Sequence, residues 1–79
     1  MNTKSRANFE LRRRALDRME FFEDGKIAFT YITKKDEETV NAQNGDHSGL
    51  VDIGRSIEGV EVSIFLRETD NNEYKISRR

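Results

Sequence analysis

Hydrophobic and polar residues alternate along the C-terminal part of the chain. The alternating positions are the apolar Val60, Val62, Ile64 and Leu66 and the mainly polar Glu61, Ser63, Phe65 and Arg67. This period of two predicts a strand that buries the face with the valines, Ile64 and Leu66. Phe65 lies on the polar side, so part of the second face is also expected to be covered. A turn-forming cluster at 69–72 and a return segment at 74–77 complete a predicted β-hairpin.

The N-terminal part of the chain has helical periodicity from about residue 8 to residue 23. One stripe of this segment is apolar and consists of Leu11, Ala15, Leu16, Met19 and Phe22. Asn8 is suited to cap the start of the helix, and Gly25 is suited to end it in the left-handed conformation. The pattern therefore predicts one amphipathic helix over 8–23.

The middle of the chain reads as a strand followed by two short helices. Residues 27–33 are β-branched and aromatic, which predicts a strand that could be buried on both faces. Thr33 and Asp36 resemble a capping box that opens a short acidic helix to about residue 42. A second helix with Leu50, Ile53 and Ile57 as its apolar stripe is predicted next, capped by either Asp46 or Ser48 and ended by Gly59.

The connection between the two longer strands predicts the fold. About 26 residues separate position 33 from position 60, and a connection of this length typically joins parallel strands with a right-handed crossover. The predicted class is α+β: a small mixed sheet of about three strands with an N-terminal helix and two short crossover helices, ending in a β-hairpin. Residues 1–7 are predicted to be a disordered N-terminal segment, and residues 8–79 a single partial domain.

Composition narrows the classes of function. The 79 residues are 37% charged and 34% hydrophobic, contain no cysteine and carry a formal net charge of −1. With this net charge, the chain has no positive electrostatic field that would attract nucleic acid non-specifically. No apolar run approaches the roughly 20 residues that span a bilayer, and no secretion signal is visible, so no membrane association and a cytoplasmic location are expected.

Few residues indicate catalysis. His47 is the only histidine, and one histidine beside Asp46 gives no spacing that forces a metal site. Ser48 follows it directly, but adjacent residues do not by themselves place a base against a hydroxyl. The Arg12-Arg13-Arg14 run is followed by acidic residues and reads as a solvated helix face. No catalytic or metal-binding residue is therefore predicted.

The return strand of the hairpin carries the strongest binding signal. Lys75, Ser77 and Arg79 share one face of it, and Arg67 lies nearby on the preceding strand. Two cations and a hydroxyl in a row could bind a phosphate or a carboxylate. The alternative is an ordinary charged strand end without a ligand.

Five segments together carry a resemblance to a known family. They are DGKIA at 24–28, GLV at 49–51, RSIEGVEV at 55–62, FLRE at 65–68 and YKIS at 74–77. In this order they resemble the C-terminal, DHH-associated domain of bacterial DHH phosphoesterases, and most of all the bifunctional oligoribonuclease type (nanoRNase and adenosine bisphosphate phosphatase). The resemblance covers about residues 9–79.

This resemblance implies a two-domain parent enzyme that hydrolyses phosphodiester or phosphomonoester bonds. Its other domain, which carries the Asp-His-His motif, is implied to hold two manganese ions, so this chain is expected to be inactive alone. The associated domain binds short RNA or nucleoside phosphates through a basic strand residue and a downstream Gly-Gly-Gly-His loop. The family's YKVSLRS-like strand aligns Arg79 with the substrate arginine, and Arg67 and Lys75 are the other substrate-binding candidates. Arg78 stands where the family often has an apolar residue.

The end of the chain supports a rival interpretation. Residue 79 falls inside the return strand and precedes the Gly-Gly-Gly-His loop, so the chain is expected to be a piece of a longer polypeptide with its DHH catalytic domain as partner. Exposed strand edges and apolar surface would then favour a homo-oligomer or a swapped dimer. The alternative function is accordingly a protein–protein interaction or dimerisation module that binds no nucleotide.

Overall fold

The computed structural model describes residues 5–43, 49–70 and 72–78. Its elements follow in the order α1 (Arg6–Arg18), β1 (Glu20–Phe22), β2 (Ile27–Ile32), α2 (Lys34–Thr39), two 3₁₀ turns (Leu50–Asp52 and Gly54–Ser56), β3 (Val62–Glu68) and β4 (Tyr74–Arg78). The four strands form one sheet in the order β1-β2-β3-β4. The predicted α+β class with a mixed sheet and a C-terminal hairpin is confirmed, with one more strand than expected.

The pairing of the strands follows the predicted topology. β2 and β3 are parallel, in a register that runs from Ile27 beside Val62 to Ile32 beside Arg67. β4 returns antiparallel to β3. The long connection between β2 and β3 therefore acts as the predicted crossover.

Helix α1 begins and ends earlier than its periodicity predicts. The side chain of Ser5 caps it by accepting a hydrogen bond from the backbone N–H of Asn8 at 2.9 Å. The prediction of Asn8 as the cap was therefore wrong, and the helix includes two residues of the segment 1–7. It ends at Arg18 and buries Leu11 and Ala15 completely.

The segment after α1 forms an edge strand that was predicted as helix. β1 pairs antiparallel with β2, and the chain reverses between them through three left-handed residues, Glu23, Asp24 and Gly25, with φ of 53°, 57° and 86°. Gly25 thus serves a tight turn and does not end a helix. The apolar stripe of the helix continues into β1, which is why periodicity alone could not separate them.

One face of the sheet is covered, and it is the face of Phe65, which was expected to be covered only in part. α1 and the 3₁₀ turns pack on the side of Ala28, Thr30, Ile32, Ser63 and Phe65. The core contains Leu11, Ala15, Ile32, Leu50, Ile53 and Phe65. Of the residues predicted to be buried, Val60 is buried, whereas Val62, Ile64 and Leu66 are only half-buried on the opposite face.

Close packing of the crossover explains this choice of face. The single helix predicted around Leu50 and Ile53 is instead two 3₁₀ turns, which bring Gly54 against Ser63 and Ala28. Small side chains on the strands permit that approach, whereas valine and isoleucine would not. The predicted capping box at Thr33 and Asp36 is confirmed in α2.

Among the helices of the described residues, none combines the length and the apolar composition that a membrane span requires.

Candidate functional site

A polar cleft lies where the two parallel strands end. Its volume is about 370 Å³, and it is lined by Lys34, Glu37, Glu38, Asn41, Ala42, Gln43, Arg67 and Asp70. The carboxyl ends of parallel strands are where ligand sites commonly form in open sheets. The position of the cleft therefore makes it the candidate site, and it contains the predicted residue Arg67.

Arg67 is held by a loose ion pair. Its Nη2 lies 3.4 Å from Oε2 of Glu37, and the two side chains are 27% and 16% exposed. The Nε of Arg67 and the Oε1 of Glu37 are buried and have no hydrogen-bond partner among the residues described. One donor and one acceptor thus stay unused at the wall of the cleft, which is costly in a buried setting.

Lys75 stands directly beside Arg67. The two residues are register partners in the β3–β4 hairpin, so their side chains leave the same face of the sheet. Lys75 is exposed. Two neighbouring cations repel each other, and an anion placed between them would relieve that repulsion.

The other predicted residues of this strand divide by face. Ser77 pairs with Phe65 and shares the face of Lys75, whereas Arg78 pairs with Ile64 on the opposite face. Arg79 lies outside the described residues, as do Asp46, His47 and Ser48. The structure therefore brings together Arg67 and Lys75 of the predicted set.

Acidic side chains balance the cations of the cleft. Lys34 forms an ion pair with Asp70, which raises the pKa of the lysine and lowers that of the carboxyl group. The backbone N–H of Lys34 donates to Oε1 of Glu68 at 2.9 Å. Glu37 and Glu38 add two further carboxyl groups to the lining. Because acidic side chains offset the cations of the lining, the cleft by itself attracts anions only weakly. Anion binding therefore depends on Arg67 and Lys75 of the hairpin.

The buried carboxylate of Asp36 fixes the wall of the cleft, and no sequence pattern predicted this role. Asp36 has a side chain 5% exposed and accepts from Arg18 Nη2 at 2.8 Å, from Arg14 Nη1 at 3.3 Å and from the backbone N–H of Thr33 at 2.8 Å. The guanidinium of Arg18 holds the pKa of Asp36 well below its usual range, and the hydrogen bonds from Thr33 act in the same direction. Asp36 therefore ties the end of α1 to the start of α2.

Sequence patterns did not predict the pairing of Asp36 with α1. The arginine run was predicted to be a solvated face, which fits the exposed Arg12 and Arg13, but Arg14 is half-buried and turns toward Asp36. A cation on α1 that pairs with a residue some 18 positions away leaves no local pattern.

In the part of the chain that the structure describes, no three histidine or acidic side chains come together as metal ligands.

Comparison with solved structures gives a relative. The chain is similar to the crystal structure of an exopolyphosphatase-related protein from Bacteroides fragilis, with a TM-score of 0.86 and 36% sequence identity over 99% of this chain. It spans 23% of the length of that protein. No protein-family model and no curated protein matches the chain. The domain is thus related to a part of an exopolyphosphatase-related protein.

Proposed function

We propose that this chain is the substrate-binding part of a DHH-type phosphoesterase of the nanoRNase kind. Its role is to bind the phosphate of a short RNA or of a nucleoside phosphate. The observation that carries the proposal is the pair of Arg67, which lines the cleft, and Lys75, its register partner on β4. The relationship to an exopolyphosphatase-related protein supports a phosphate-containing substrate.

Within this proposal, the chain's own residues bind and do not react. Hydrolysis would take place at two manganese ions held by an Asp-His-His domain outside this chain, where metal-bound water is activated. Lys75 would attract the phosphate, and Arg67 would donate two hydrogen bonds to its oxygens, because a guanidinium matches the geometry of an oxyanion. Arg79 is proposed as a third cation on the sequence pattern alone, because it lies four positions after Lys75 and residues at even spacings on a strand share a face.

The first test is a titration with a 5′-phosphorylated diadenylate followed by NMR. We expect amide shifts at residue 67 and over 74–78, and we expect Lys75→Ala and Arg79→Ala each to weaken binding about tenfold, as the loss of a charge-assisted contact does.

The matched control is Arg78→Ala, which removes the same charge from the same strand but from the opposite face. It should leave the binding of the dinucleotide unchanged. An absence of shifts at millimolar ligand would contradict a nucleotide site in this chain, and loss of binding in Arg78→Ala alone would contradict the assignment of Arg79.

The second test concerns Glu37, which competes with the substrate for Arg67. Glu37→Gln removes the negative charge but keeps a side chain of the same shape, so the guanidinium becomes available to a phosphate. We expect dinucleotide affinity to rise about threefold, the scale of one partly exposed ion pair. Glu38→Gln is the control, because Glu38 also lines the cleft but does not pair with Arg67. An equal gain in both variants would show a general charge effect and no competition for Arg67.

A further inference from the structure

The face of the sheet that points away from α1 is largely apolar, and α1 and the 3₁₀ turns pack on the other side. We name it the open face; the guanidinium of Arg18 lies over one of its rings, that of Tyr31. The register of the strands places on it the alternate apolar residues of β2 and β3 that begin at Ile27 and Val62, together with Phe22, Tyr74, Ile76 and the acidic Glu68. Ile76 is 67% exposed, Tyr74 51% and Phe22 48%. A contiguous apolar surface of this kind marks an interaction site.

Two opposite charges lie at the two edges of the open face. One row across the four strands reads Glu20, Phe29, Ile64 and Arg78. Glu20 on β1 and Arg78 on β4 are both exposed, and neither has an ion-pair partner among the described residues. The row is therefore acidic at one end, apolar in the middle and basic at the other.

We propose that the open face binds the open face of a second copy of this chain in a two-fold symmetric dimer. A two-fold axis parallel to the strands places β1 of one copy over β4 of the other. Glu20 of each copy then meets Arg78 of the second copy, so the contact forms twice, as symmetry requires.

The charges also select this axis against the alternative. A two-fold axis that runs across the strands would place Glu20 over Glu20 and Arg78 over Arg78, and like charges at an interface are costly. Only the axis parallel to the strands joins unlike charges while the apolar middle of the row stays in contact. The sequence of the row thus determines the geometry of the dimer.

The dimensions of the molecule suit such an interface. The chain is a flat body of 35 × 34 × 18 Å, so a second copy can lie against the sheet without meeting a protruding element. Two twisted sheets pack face to face with their strands nearly aligned. The dimer would therefore give the uncovered sheet a second layer.

This dimer is independent of the proposed phosphate site. Arg67 and Lys75 lie on the covered side of the sheet and stay accessible when two open faces meet. The two proposals can consequently succeed or fail separately.

The test is sedimentation equilibrium of the whole chain and of charge variants. We expect a monomer–dimer equilibrium that Glu20→Arg and Arg78→Glu each weaken about tenfold or more, while the variant with both changes regains most of the affinity, as complementary pairs do. Asp17→Arg makes the same change of charge on the exposed side of α1 and should leave the equilibrium unchanged. A chain that stays monomeric at millimolar concentration would overturn the proposal.

An apolar variant separates face-to-face contact from other forms of association. Ile76→Ser alters a side chain that is exposed in the single copy, so circular dichroism should show an unchanged fold while the dimer weakens about tenfold, as at a buried interface position. Phe9→Ser on α1 is the control, since Phe9 is 56% exposed on the other side of the molecule. A dimer insensitive to both Ile76→Ser and the charge reversals would point to pairing along strand edges and overturn the face-to-face arrangement.

Discussion

Replacing Asp36 with alanine is expected to cost about 3 kcal/mol of unfolding free energy, near the lower end of the range for breaking a buried ion pair. The carboxylate is 5% exposed, whereas Arg18 keeps 28% of its side chain in solvent, which limits the penalty for the arginine left behind. The substitution also removes half of the capping box of α2. A domain of this size has roughly 4–12 kcal/mol of stability in total, so urea unfolding followed by circular dichroism should show a large shift of the midpoint.

Acid should reproduce part of this effect. The pKa of Asp36 is lower in the folded protein than in the unfolded chain. As the pH falls below about 4, the ordinary pKa of aspartate, this carboxyl group is therefore protonated in the unfolded chain before it is protonated in the folded protein. The contribution of Asp36 to stability is therefore complete above that pH and is lost as the pH falls through the lower folded pKa. Asp36→Asn should remove this contribution at every pH, so the difference in unfolding free energy between the two proteins shrinks as the pH is lowered from 5 to 2.

The control for both experiments is Asp70→Asn. Asp70 also pairs with a cation, Lys34, but its side chain is 85% exposed, so solvent screens the pair. Its replacement should change stability far less than Asp36→Ala. Equal effects of the two substitutions would contradict the assignment of Asp36 as the anchor between α1 and α2.

Gly54→Ala is the second substitution with a large expected effect. An added Cβ at this position would lie 2.6 Å from Oγ of Ser63 and 2.9 Å from Cβ of Ala28, both closer than atoms approach in folded proteins. The backbone of Gly54 suits any residue, so the cost is steric: the 3₁₀ turns must move off the sheet. We expect a loss of about 2 kcal/mol, typical of overpacking a tight core, measured by thermal or urea unfolding.

A double-mutant cycle tests whether the cost arises at that contact. Ser63→Ala alone should destabilise by about 1 kcal/mol, because the hydroxyl donates to the carbonyl of Val51 at 2.6 Å. With the hydroxyl gone, an alanine at position 54 meets less obstruction, so the double variant should cost less than the sum of the two changes. Arg55→Ala, on the exposed neighbouring position, is the control and should be close to neutral. Strict additivity would contradict the steric explanation.

The sequence predicted two cations of the candidate site but not the ion pair that holds one of them. Lys75 was identified from strand alternation and Arg67 from its place on the neighbouring strand, and the register of the hairpin shows that the two stand side by side. Their role in binding substrate stays a prediction. The pairing of Arg67 with Glu37 could not be foreseen, because the two residues are 30 positions apart and meet only when the crossover folds back.

The sequence predicted the features of the fold that depend on residues close together in the chain or on the length of a connection. The capping box at Thr33 needs only residues three positions apart, and the reversal between β3 and β4 needs only a turn-forming cluster and the alternation around it. The parallel pairing of β2 and β3 followed from the length of their connection. Each of these features depends on near neighbours or on chain geometry, and both can be read from the sequence.

Tertiary structure alone decided which face of the sheet is buried and where α1 ends. Alternation divides β3 into two faces but does not say which one a helix will cover; the close approach of Gly54 required the small Ser63, and this left Ile64 on the open face. The apolar stripe of α1 runs on to Phe22, yet Glu20–Phe22 pairs with β2 because the left-handed turn at 23–25 returns the chain beside it. Both outcomes depend on contacts between distant residues, whose energies no local pattern contains.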